Sequence, residues 1–419
     1  MMTNADDFEV LVIGGGPAGA TVAAILAGEY GRRVLVLEKE RFPRYHIGES
    51  LIPHCYGTLE RLGLVETMNE RGFQKKESVQ FVSPDGEVST PFYFRTHTDH
   101  PMATTWQVER AEFDDLMLNR AREAGAEVRE GVRVRNFIEE EGQVCGVLTD
   151  EGEFRARLVV DATGRDALWQ SKKRWRKRDP ELNKIAIWTR FKGAKRDPGV
   201  DEGATTIAYV PEKGWFWNIP LSGDVVSSGV VAERDYLYRD GERDLAKIFW
   251  REVRENKWVE EHLEAGEQFG EYWVTGEYSY RGESCAADGL LLVGDAFAFL
   301  DPVFSSGVYL ALKSGEMGAD AVEAALQKGS VRAEEFAAYG ERLCQGIEWM
   351  RKLVYAFYDE DFSFKDVVMN YAELRGKLTD CLIGDLVDRD YADLFAAVGN
   401  YADLPAELAH GRVRTGSSV

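Results

Sequence analysis

Three glycines close to the N-terminus are the first residues whose spacing implies chemistry. Gly14, Gly16 and Gly19 form the pattern G-x-G-x-x-G between the apolar run 8–13 and an alanine-rich run that ends at residue 27. The first glycine of such a pattern allows a tight turn, the second lets the backbone approach a pyrophosphate, and the third lets a helix pack against a strand. The start of that helix, around Ala18, would face the phosphates. The sequence therefore predicts a strand, a phosphate-binding turn and a helix.

An acidic residue follows at the distance that a dinucleotide site requires. A second predicted strand, 33–37, ends in Glu38, about 20 residues after the glycines, where a carboxylate binds ribose hydroxyls. Lys39 comes directly after it and is assigned to the same predicted site. Strand, helix, second strand and terminal acid occur in the expected order, so we predict dinucleotide binding by a doubly wound α/β domain.

Three later segments extend this prediction to FAD. Segment 290–296 is an apolar run ending in Gly-Asp-Ala, segment 107–114 contains Arg110, and segment 158–164 ends in Asp-Ala-Thr-Gly. They resemble motifs of the glutathione-reductase-like and hydroxybenzoate-hydroxylase-like flavoproteins. The resemblance implies a glutathione-reductase-like FAD-binding domain, in which Asp295 accepts hydrogen bonds from the ribityl chain and Arg110 lies beside the flavin.

The source of the electrons is a separate question. No second G-x-G-x-x-G follows a strand elsewhere in the sequence, which argues against a resident nicotinamide cofactor. We therefore expect a separate flavin reductase to supply reduced FAD. The alternative is transient NAD(P)H binding, which hydroxybenzoate-type enzymes achieve without such a motif.

Two tryptophans alternate with other residues in segment 213–220. In a strand this alternation sends Trp215, Trp217 and Ile219 to one face, and a well-buried strand would explain the pattern by itself. The segment also resembles the W-x-W-x-I-P signature of flavin-dependent halogenases. The resemblance implies that the indoles keep an organic substrate away from the flavin, so that the flavin hydroperoxide meets a halide instead.

A second signature offers a binding site for that halide. Segment 299–307 fits the pattern F-x-x-P-x-x-S-x-G of the same enzymes and precedes a predicted helix from residue 308 to about 326. Backbone N–H groups of Ser306 and Gly307 at a helix start would attract chloride or bromide, because they lack partners and carry partial positive charge. An ordinary N-cap by Ser305 or Ser306 is the alternative.

A lysine pair completes the set of candidate catalytic residues. Lys75 and Lys76 end the segment Gly-Phe-Gln-Lys-Lys at 72–76, and such a pair usually lies on a solvated face. The halogenases carry a lysine at the spacing G-F-x-x-K, which implies that Lys76 holds or reacts with hypohalous acid. Its ammonium would hydrogen-bond the acid, or its free amine would form a chloramine, and burial would favour the second route by lowering the pKa. Lys75 is the alternative residue.

Two further features indicate which flavin-dependent halogenases the sequence resembles most. Segment 41–53 resembles a segment shared by these halogenases and by flavin reductases of polyprenyl chains, and it adds Gly48 and Ser50 to the predicted cofactor site. Phe304 occupies the position of a catalytic glutamate in the tryptophan halogenases. The resemblance is therefore to halogenases of phenolic or pyrrole substrates, including those held on carrier proteins.

The predicted function is halogenation of an electron-rich aromatic ring with FADH2, oxygen and chloride or bromide, through a flavin C4a-hydroperoxide and hypohalous acid. The closest alternative is an FAD-dependent monooxygenase, followed by a flavin reductase of the polyprenyl type. A flavin-binding partner module without oxidising chemistry is a third. No metal site is predicted, because the five cysteines are scattered without CxxC spacing.

The remaining sequence predicts how these elements are organised. We expect an FAD-binding domain from 1–79, 106–179 and 283–328, interleaved with a mainly β substrate domain from 80–105 and 180–282. A C-terminal helical region is predicted for 329–419, with a short disordered tail after about residue 411. A single helical segment is expected from residue 244 to about 265.

Composition limits the partners and the compartment. The formal charge of −21 argues against nucleic acid and anionic membranes as partners, although the basic run 172–178 could attract an acidic protein or a phosphate group if it is not simply a solvated loop. No apolar run reaches the roughly 18 residues of a membrane span, and no signal peptide is visible. We expect a cytoplasmic protein.

Overall fold

A six-stranded sheet forms around the apolar run that precedes the glycine turn in this computed structural model. The structure describes residues 8–179, 181–212, 214–276, 279–360 and 362–413. The sheet is parallel except for its short first strand, and four of its strands are buried at every residue, as expected when helices cover both faces. In spatial order the strands are Ala286–Ala287, Leu290–Leu292, Leu158–Asp161, Val10–Ile13, Val34–Glu38 and Glu127–Glu130.

Three long helices pack on or beside this sheet. Pro17–Gly28 follows the glycine turn and lies against Arg110–Glu123 and Ser306–Lys328. The packing is close because small residues meet: a Cβ atom at Gly315 would lie only 2.7 Å from the carbonyl oxygen of Ala18. The start of Pro17–Gly28 therefore lies against the middle of Ser306–Lys328, nine residues after that helix begins.

A seven-stranded sheet contains the tryptophan segment. It is antiparallel except for one parallel pair, and Gly214–Leu221 is its central strand, buried at every residue. The predicted alternation is present, with Phe216 on the opposite face packing against Phe249. The strands are, in spatial order, Glu267–Thr275, Lys184–Lys192, Val225–Glu233, Gly214–Leu221, Thr205–Val210, Ser78–Val82 and Phe92–Tyr93.

Smaller elements fill the connections. The shorter strands are Gln74–Lys76 with Thr105–Gln107, then Val134–Glu140, Gln143–Thr149 and Gly152–Arg155, and finally Arg176–Arg178, Tyr280–Gly282 and Ala298–Phe299. The remaining helices are Cys55–Arg61, Val65–Glu70, Leu168–Lys173, Arg234–Leu237, Leu245–Val253, Lys257–Glu264, Ala337–Tyr358, Phe364–Asn370, Arg375–Ile383 and Ala392–Val398. Within the described ranges, no helix is long and apolar enough to cross a membrane.

Two sequence predictions differ from the structure in detail. The expected single helix from 244 to 265 is two helices, because Asn256 accepts hydrogen bonds from the backbone of Trp258 and Val259 and so caps a new helix. The predicted domain boundaries stay a prediction, and the strand Ser78–Val82 crosses the one drawn after residue 79. Most of the predicted tail lies outside the described residues, as does Lys213 of the tryptophan segment.

A buried ion network joins the C-terminal helices to the rest of the chain. Glu348, in the helix Ala337–Tyr358, accepts hydrogen bonds from Arg281 at 2.8 Å and from Arg351 at 3.2 Å. Arg351 also donates to Asp179 at 2.6 Å. All four side chains are almost fully buried, so each charge depends on the others for compensation.

We expect Glu348→Gln to lower the free energy of unfolding by about 3 to 5 kcal/mol, because two buried guanidinium groups lose their shared counter-charge. Chemical denaturation with an unchanged m-value would measure this. Glu334→Gln, at an exposed ion pair with Arg332, serves as the control and should change stability by less than about 1 kcal/mol. Equal effects of the two substitutions would contradict the assigned role of the network.

Candidate functional site

A cavity of about 570 Å³ is lined by residues from both large sheets. Twelve of the fifteen predicted site residues line it, although they come from segments that are distant in the sequence. The three that do not are Gly19, Lys76 and Ser306. The twelve are Gly14, Gly16, Ala18, Glu38, Lys39, Gly48, Ser50, Arg110, Trp215, Trp217, Asp295 and Gly307.

The glycine turn leaves its backbone open to this cavity. Gly14 has φ +101°, and a Cβ atom there would lie 2.4 Å from the carbonyl oxygen of Ala162. A Cβ atom at Gly19 would lie 2.0 Å from the carbonyl oxygen of Gly14, so this glycine serves helix packing rather than contact with the cavity. At Gly16 the nearest atom would be 3.8 Å away, on Arg44. The turn thus fits the pyrophosphate of a dinucleotide.

Glu38 holds the turn and lines the cavity at the same time. Its two carboxylate oxygens accept hydrogen bonds from the backbone N–H groups of Gly15 at 2.7 Å and Glu40 at 2.8 Å. Each carboxylate oxygen can accept a further bond, so a ribose hydroxyl can still be bound. Lys39 lies beside it and forms an ion pair with Asp166.

Arg110 holds segment 47–48 in place at the cavity wall. Its guanidinium group binds Asp114 through two hydrogen bonds, of 2.7 and 2.9 Å, and donates to the carbonyl oxygen of Ile47 at 2.8 Å. Burial raises the pKa of Asp114, but the charge and hydrogen bonds of Arg110, together with the charges of Arg44 and His46, outweigh it and the pKa is lowered. Gly48 has φ +101° and a Cβ atom there would lie 3.0 Å from Arg110. Arg110 therefore fixes segment 47–48 at the cavity wall.

Asp295 is a carboxylate of the cavity wall with free hydrogen-bonding capacity. Burial raises its pKa to about 6, against the opposing charges of Arg165 and Arg110. No hydrogen bond to its side-chain oxygens occurs within the described part of the chain. A carboxylate that lines a cavity without a protein donor fits the hydroxyl groups of a sugar-like chain, as the sequence predicts for the ribityl group.

The two tryptophans form an apolar wall. Their ring centroids are 6.2 Å apart, and each indole N–H is already used, by Tyr358 at 2.8 Å for Trp215 and by Ser227 at 3.2 Å for Trp217. Ile219 lines the cavity beside them. The rings can therefore exclude a bulky molecule or water but offer no proton or hydrogen bond to one.

The predicted halide site lies at the start of the helix Ser306–Lys328. Ser305, with φ +55°, makes no capping hydrogen bond, and the buried hydroxyl of Ser306 has no partner among the described residues. These observations exclude the alternative of an ordinary serine N-cap. Gly307 lines the cavity, and its Cβ position has no atom within 4 Å. Free first-turn N–H groups with open space beside them fit a small anion.

Lys76 is fully buried next to the cavity without lining it. Its ammonium nitrogen donates to the Ser50 hydroxyl at 2.8 Å and to the Leu51 carbonyl oxygen at 3.2 Å. Burial lowers its pKa to about 7, and no carboxylate of the described residues pairs with it. The solvated-face alternative applies to Lys75, which is half-buried and hydrogen-bonds Asn69.

Sequence reasoning gave no role to Glu49, a buried residue that lines the cavity. Glu49 forms a 2.5 Å ion pair with Arg190. Burial raises its pKa, although Arg190 opposes the shift. Its position between Gly48 and Ser50 was the only available signal, because Arg190 is distant in sequence. No group of three or more potential metal ligands occurs in the described ranges.

Comparisons with known proteins agree on one family. The tryptophan halogenase family model matches residues 9–96 and 85–366. A 1H-pyrrole-2-carbonyl peptidyl-carrier protein brominase of Pseudoalteromonas luteoviolacea is 32% identical over 395 residues, covering 91% of this chain and 94% of that protein. The corresponding chlorinase of Pseudomonas fluorescens is 29% identical over 390 residues, covering 87% and 86%.

Solved structures give the same result. The flavin-dependent brominase Bmp2 has a TM-score of 0.84 and 31% identity, covering 94% of this chain and 97% of its own. The myxobacterial chondrochloren halogenase CndH has a TM-score of 0.78 and 32% identity, covering 93% and 92%. The predicted fold class, an FAD-binding α/β domain with a substrate domain, is confirmed.

Gly14→Ala should weaken FAD binding by at least about tenfold. The added methyl group meets the carbonyl oxygen of Ala162 and forces the turn to move. Flavin fluorescence titration of the apoprotein would measure the dissociation constant. Gly57→Ala, in a helix where no atom lies within 4 Å of the Cβ position, is the control and should bind FAD normally. Unchanged binding by the Gly14 variant would contradict the assigned turn.

Asp295 gives FAD binding a predicted pH dependence. With a pKa of about 6, its carboxylate is charged at pH 7 and largely neutral at pH 5. If the charged form accepts hydrogen bonds from the ribityl chain, the dissociation constant for FAD rises as the pH falls, by at most about tenfold per pH unit below the pKa. Asp295→Asn should bind more weakly at pH 7 and lose this dependence, whereas a retained dependence would assign it to another group.

Proposed function

The chain belongs to the tryptophan halogenase family, and from this premise we propose that it halogenates an electron-rich aromatic ring with reduced FAD, oxygen and chloride or bromide. The observation that carries the proposal is a buried amine one hydroxyl group away from the flavin cavity. Ser50 lines the cavity and hydrogen-bonds Lys76, which lies behind it. A direct oxygen transfer to a substrate beside the flavin would not need such an amine.

Reduced FAD, if bound along the glycine turn, would supply activated oxygen for oxidation of the halide. Gly14, Gly16, Glu38 and Asp295 are the residues that would hold it. The Ser306–Gly307 backbone keeps the halide at the helix start until it is oxidised. Trp215 and Trp217 keep bulky molecules and bulk water out of this region, because bulk water would discharge the oxidant before it reached the substrate.

Lys76 then controls the hypohalous acid. A pKa of about 7 means that the ammonium and the free amine both exist at neutral pH. The ammonium would hydrogen-bond the acid and make its halogen more electrophilic, and the amine would carry the halogen covalently. Both routes require that the lysine stay away from bulk water, which its complete burial provides.

A pyrrole-type ring tethered to a carrier protein is the substrate class that we propose. Two relatives that align over nearly their whole length are named for 1H-pyrrole-2-carbonyl groups on peptidyl-carrier proteins. Phe304 replaces the catalytic glutamate expected for free tryptophan, and its ring packs edge-on against Phe357 and Phe364. Turnover of pyrrolyl carrier protein but not of free pyrrole-2-carboxylate would support a carrier-bound substrate. Turnover of only the free acid would contradict it.

A separate reductase and a cytoplasmic location complete the proposal. The chain shows one glycine-rich nucleotide turn, at Gly14–Gly19, which is occupied by FAD in this scheme. All five cysteines are free thiols in the structure, which suits a reducing compartment. Reduced FAD delivered by an unrelated NADH-dependent flavin reductase should therefore support turnover, with no NADH consumption by this chain alone.

The first test needs no knowledge of the substrate. The reduced-FAD complex is mixed with oxygenated buffer in a stopped-flow instrument, with and without chloride or bromide, and a thioether scavenger traps hypohalous acid. Halide-dependent reoxidation of the flavin with trapped oxidant is expected. Reoxidation that ignores halide would favour the monooxygenase, and no reaction with oxygen would favour the reductase or a non-catalytic flavin protein.

Lys76→Met should lower the rate of substrate halogenation by about 100-fold or more, while the scavenger still traps hypohalous acid. Methionine matches the length of the lysine stem and removes an uncompensated buried charge, so the variant should fold with undiminished stability. Lys75→Met is the matched control and should halogenate normally. Loss of trapped oxidant in the Lys76 variant would show that this lysine acts earlier, on the flavin.

A further inference from the structure

Lys76 has no contact with solvent, although the proposed function gives it two protonation states. Its side chain is fully buried and does not line the cavity. A buried amine can change its charge only if a neighbouring group carries the proton away. The neighbours of Lys76 therefore decide whether its amine can take part in the reaction, and this inference rests on the proposed function.

Few of those neighbours can carry a proton. The carbonyl oxygen of Leu51 accepts hydrogen bonds but has no proton to donate. The ring of Phe94, 5.7 Å from the ammonium nitrogen, can neither donate nor accept a proton. Cys55, on the helix Cys55–Arg61, is the titratable group that faces the amine, and burial raises the pKa of its thiol to about 12. The hydroxyl of Ser50 is the remaining polar contact, and a hydroxyl can donate and accept at once.

Ser50 is itself bonded to a second hydroxyl. Its oxygen lies 2.9 Å from the hydroxyl oxygen of Thr205, which also accepts a hydrogen bond from the side-chain amide of Gln107 at 2.8 Å. The other amide hydrogen of Gln107 goes to the carbonyl oxygen of Gly203 at 3.0 Å. Gln107 is thus fixed as a donor, and Thr205 directs its own hydrogen either to Ser50 or to the cavity, which both hydroxyl residues line.

These residues can form two hydrogen-bonding patterns, one for each protonation state of Lys76. When Lys76 is an ammonium it can only donate, so Ser50 accepts from it and donates to Thr205, whose hydrogen points to the cavity. When Lys76 is a free amine, its lone pair accepts from Ser50, and Ser50 accepts from Thr205. Transfer of one proton from lysine to Ser50, from Ser50 to Thr205 and from Thr205 to the cavity converts the first arrangement into the second.

We propose that Ser50 and Thr205 form a two-hydroxyl proton relay that lets Lys76 exchange its proton with the flavin cavity. The ammonium loses a proton through the relay to a water molecule in the cavity. The amine then reacts with hypohalous acid to give an N–halogen bond and water, a step that requires the side chains between the cavity and the nitrogen to move aside. Transfer of the halogen to the ring carbon breaks the N–halogen bond, and the nitrogen takes up the proton that the ring loses, which regenerates the amine.

The backbone holds the relay in register. Ser50 forms an isolated bridge with Gln107, whose strand pairs with the strand Gln74–Lys76. Gly203 lies against that strand so closely that a Cβ atom would be 1.7 Å from the carbonyl oxygen of Lys75. Ser50, Lys76 and Thr205 are therefore brought together by strand pairing and not by flexible loops. This geometry suits a relay, because proton transfer requires short, aligned hydrogen bonds.

Thr205→Val tests the relay, since it removes a hydroxyl and keeps the side-chain shape. Thr205→Ser restores the hydroxyl. Thr189→Val is the matched control, because Thr189 is also a buried threonine in a strand but does not line the cavity. Its hydroxyl hydrogen-bonds Glu271 and Gln268. Three quantities are measured in the holoenzyme: the pH profile of substrate halogenation, the rate of flavin reoxidation with halide, and trapped hypohalous acid. Melting temperature reports folding.

The wild type should show a halogenation rate that rises with pH near 7. Thr205→Val should halogenate the substrate at least about tenfold more slowly, and its rate should no longer rise near pH 7. Its rate of flavin reoxidation should be unchanged, and more hypohalous acid should be trapped. Thr205→Ser should recover the wild-type rate and pH profile. If Thr205→Val does not fold, Thr205→Ala, which also removes the hydroxyl, carries the same expectation.

A wild-type rate and pH profile in Thr205→Val would overturn the relay, as would no recovery in Thr205→Ser or slower flavin reoxidation in Thr205→Val. These outcomes differ from failure of the proposed function, in which the wild type itself produces no halide-dependent oxidant.

Discussion

Burial of one amine without an opposite charge is the constraint on which the site depends. An isolated ammonium group is costly to remove from water, and Lys76 has neither solvent nor a carboxylate partner in the described structure. Its lowered pKa is the direct consequence. The surrounding elements supply what the amine still needs: a hydroxyl on the cavity side, a carbonyl oxygen, and apolar walls that keep its environment dry.

The charged side chains that line the cavity are mostly basic, whereas those of the whole chain are mostly acidic. The protein carries a formal charge of −21, which would repel the pyrophosphate of FAD and a halide. The cavity is nevertheless lined by seven lysine and arginine side chains and five aspartate and glutamate side chains. Lys172, from the basic run, is one of them, whereas Lys173 and Lys177 pair with Glu139 and Glu283. Local charge therefore favours anions where the global charge does not.

The C-terminal helices contribute to the same wall. Tyr358, at the end of the helix Ala337–Tyr358, accepts the indole hydrogen bond of Trp215 and donates to Asp301 at 2.9 Å. Burial raises the pKa of Asp301 to about 6, so its carboxylate is charged and accepts this bond at neutral pH. The helix that is fixed by the Glu348 network thus holds a tryptophan of the cavity and the segment before the halide site together.

The sequence by itself determined the nucleotide turn, the tryptophan strand and, to within two residues, the helix start at Ser306. Each depends on local rules: glycine at a positive φ, period-two alternation, and unpaired N–H groups at a helix N-terminus. Gly14, Trp215 and Gly307 accordingly line the cavity as local pattern predicts. Only the tertiary structure decided that Lys76 is buried and Lys75 is not, because two adjacent strand residues differ only in which face the rest of the chain covers. The Ser50–Thr205 contact and the Glu49–Arg190 pair also required the folded chain, since their partners are separated by more than a hundred residues and no local spacing encodes which of them will meet.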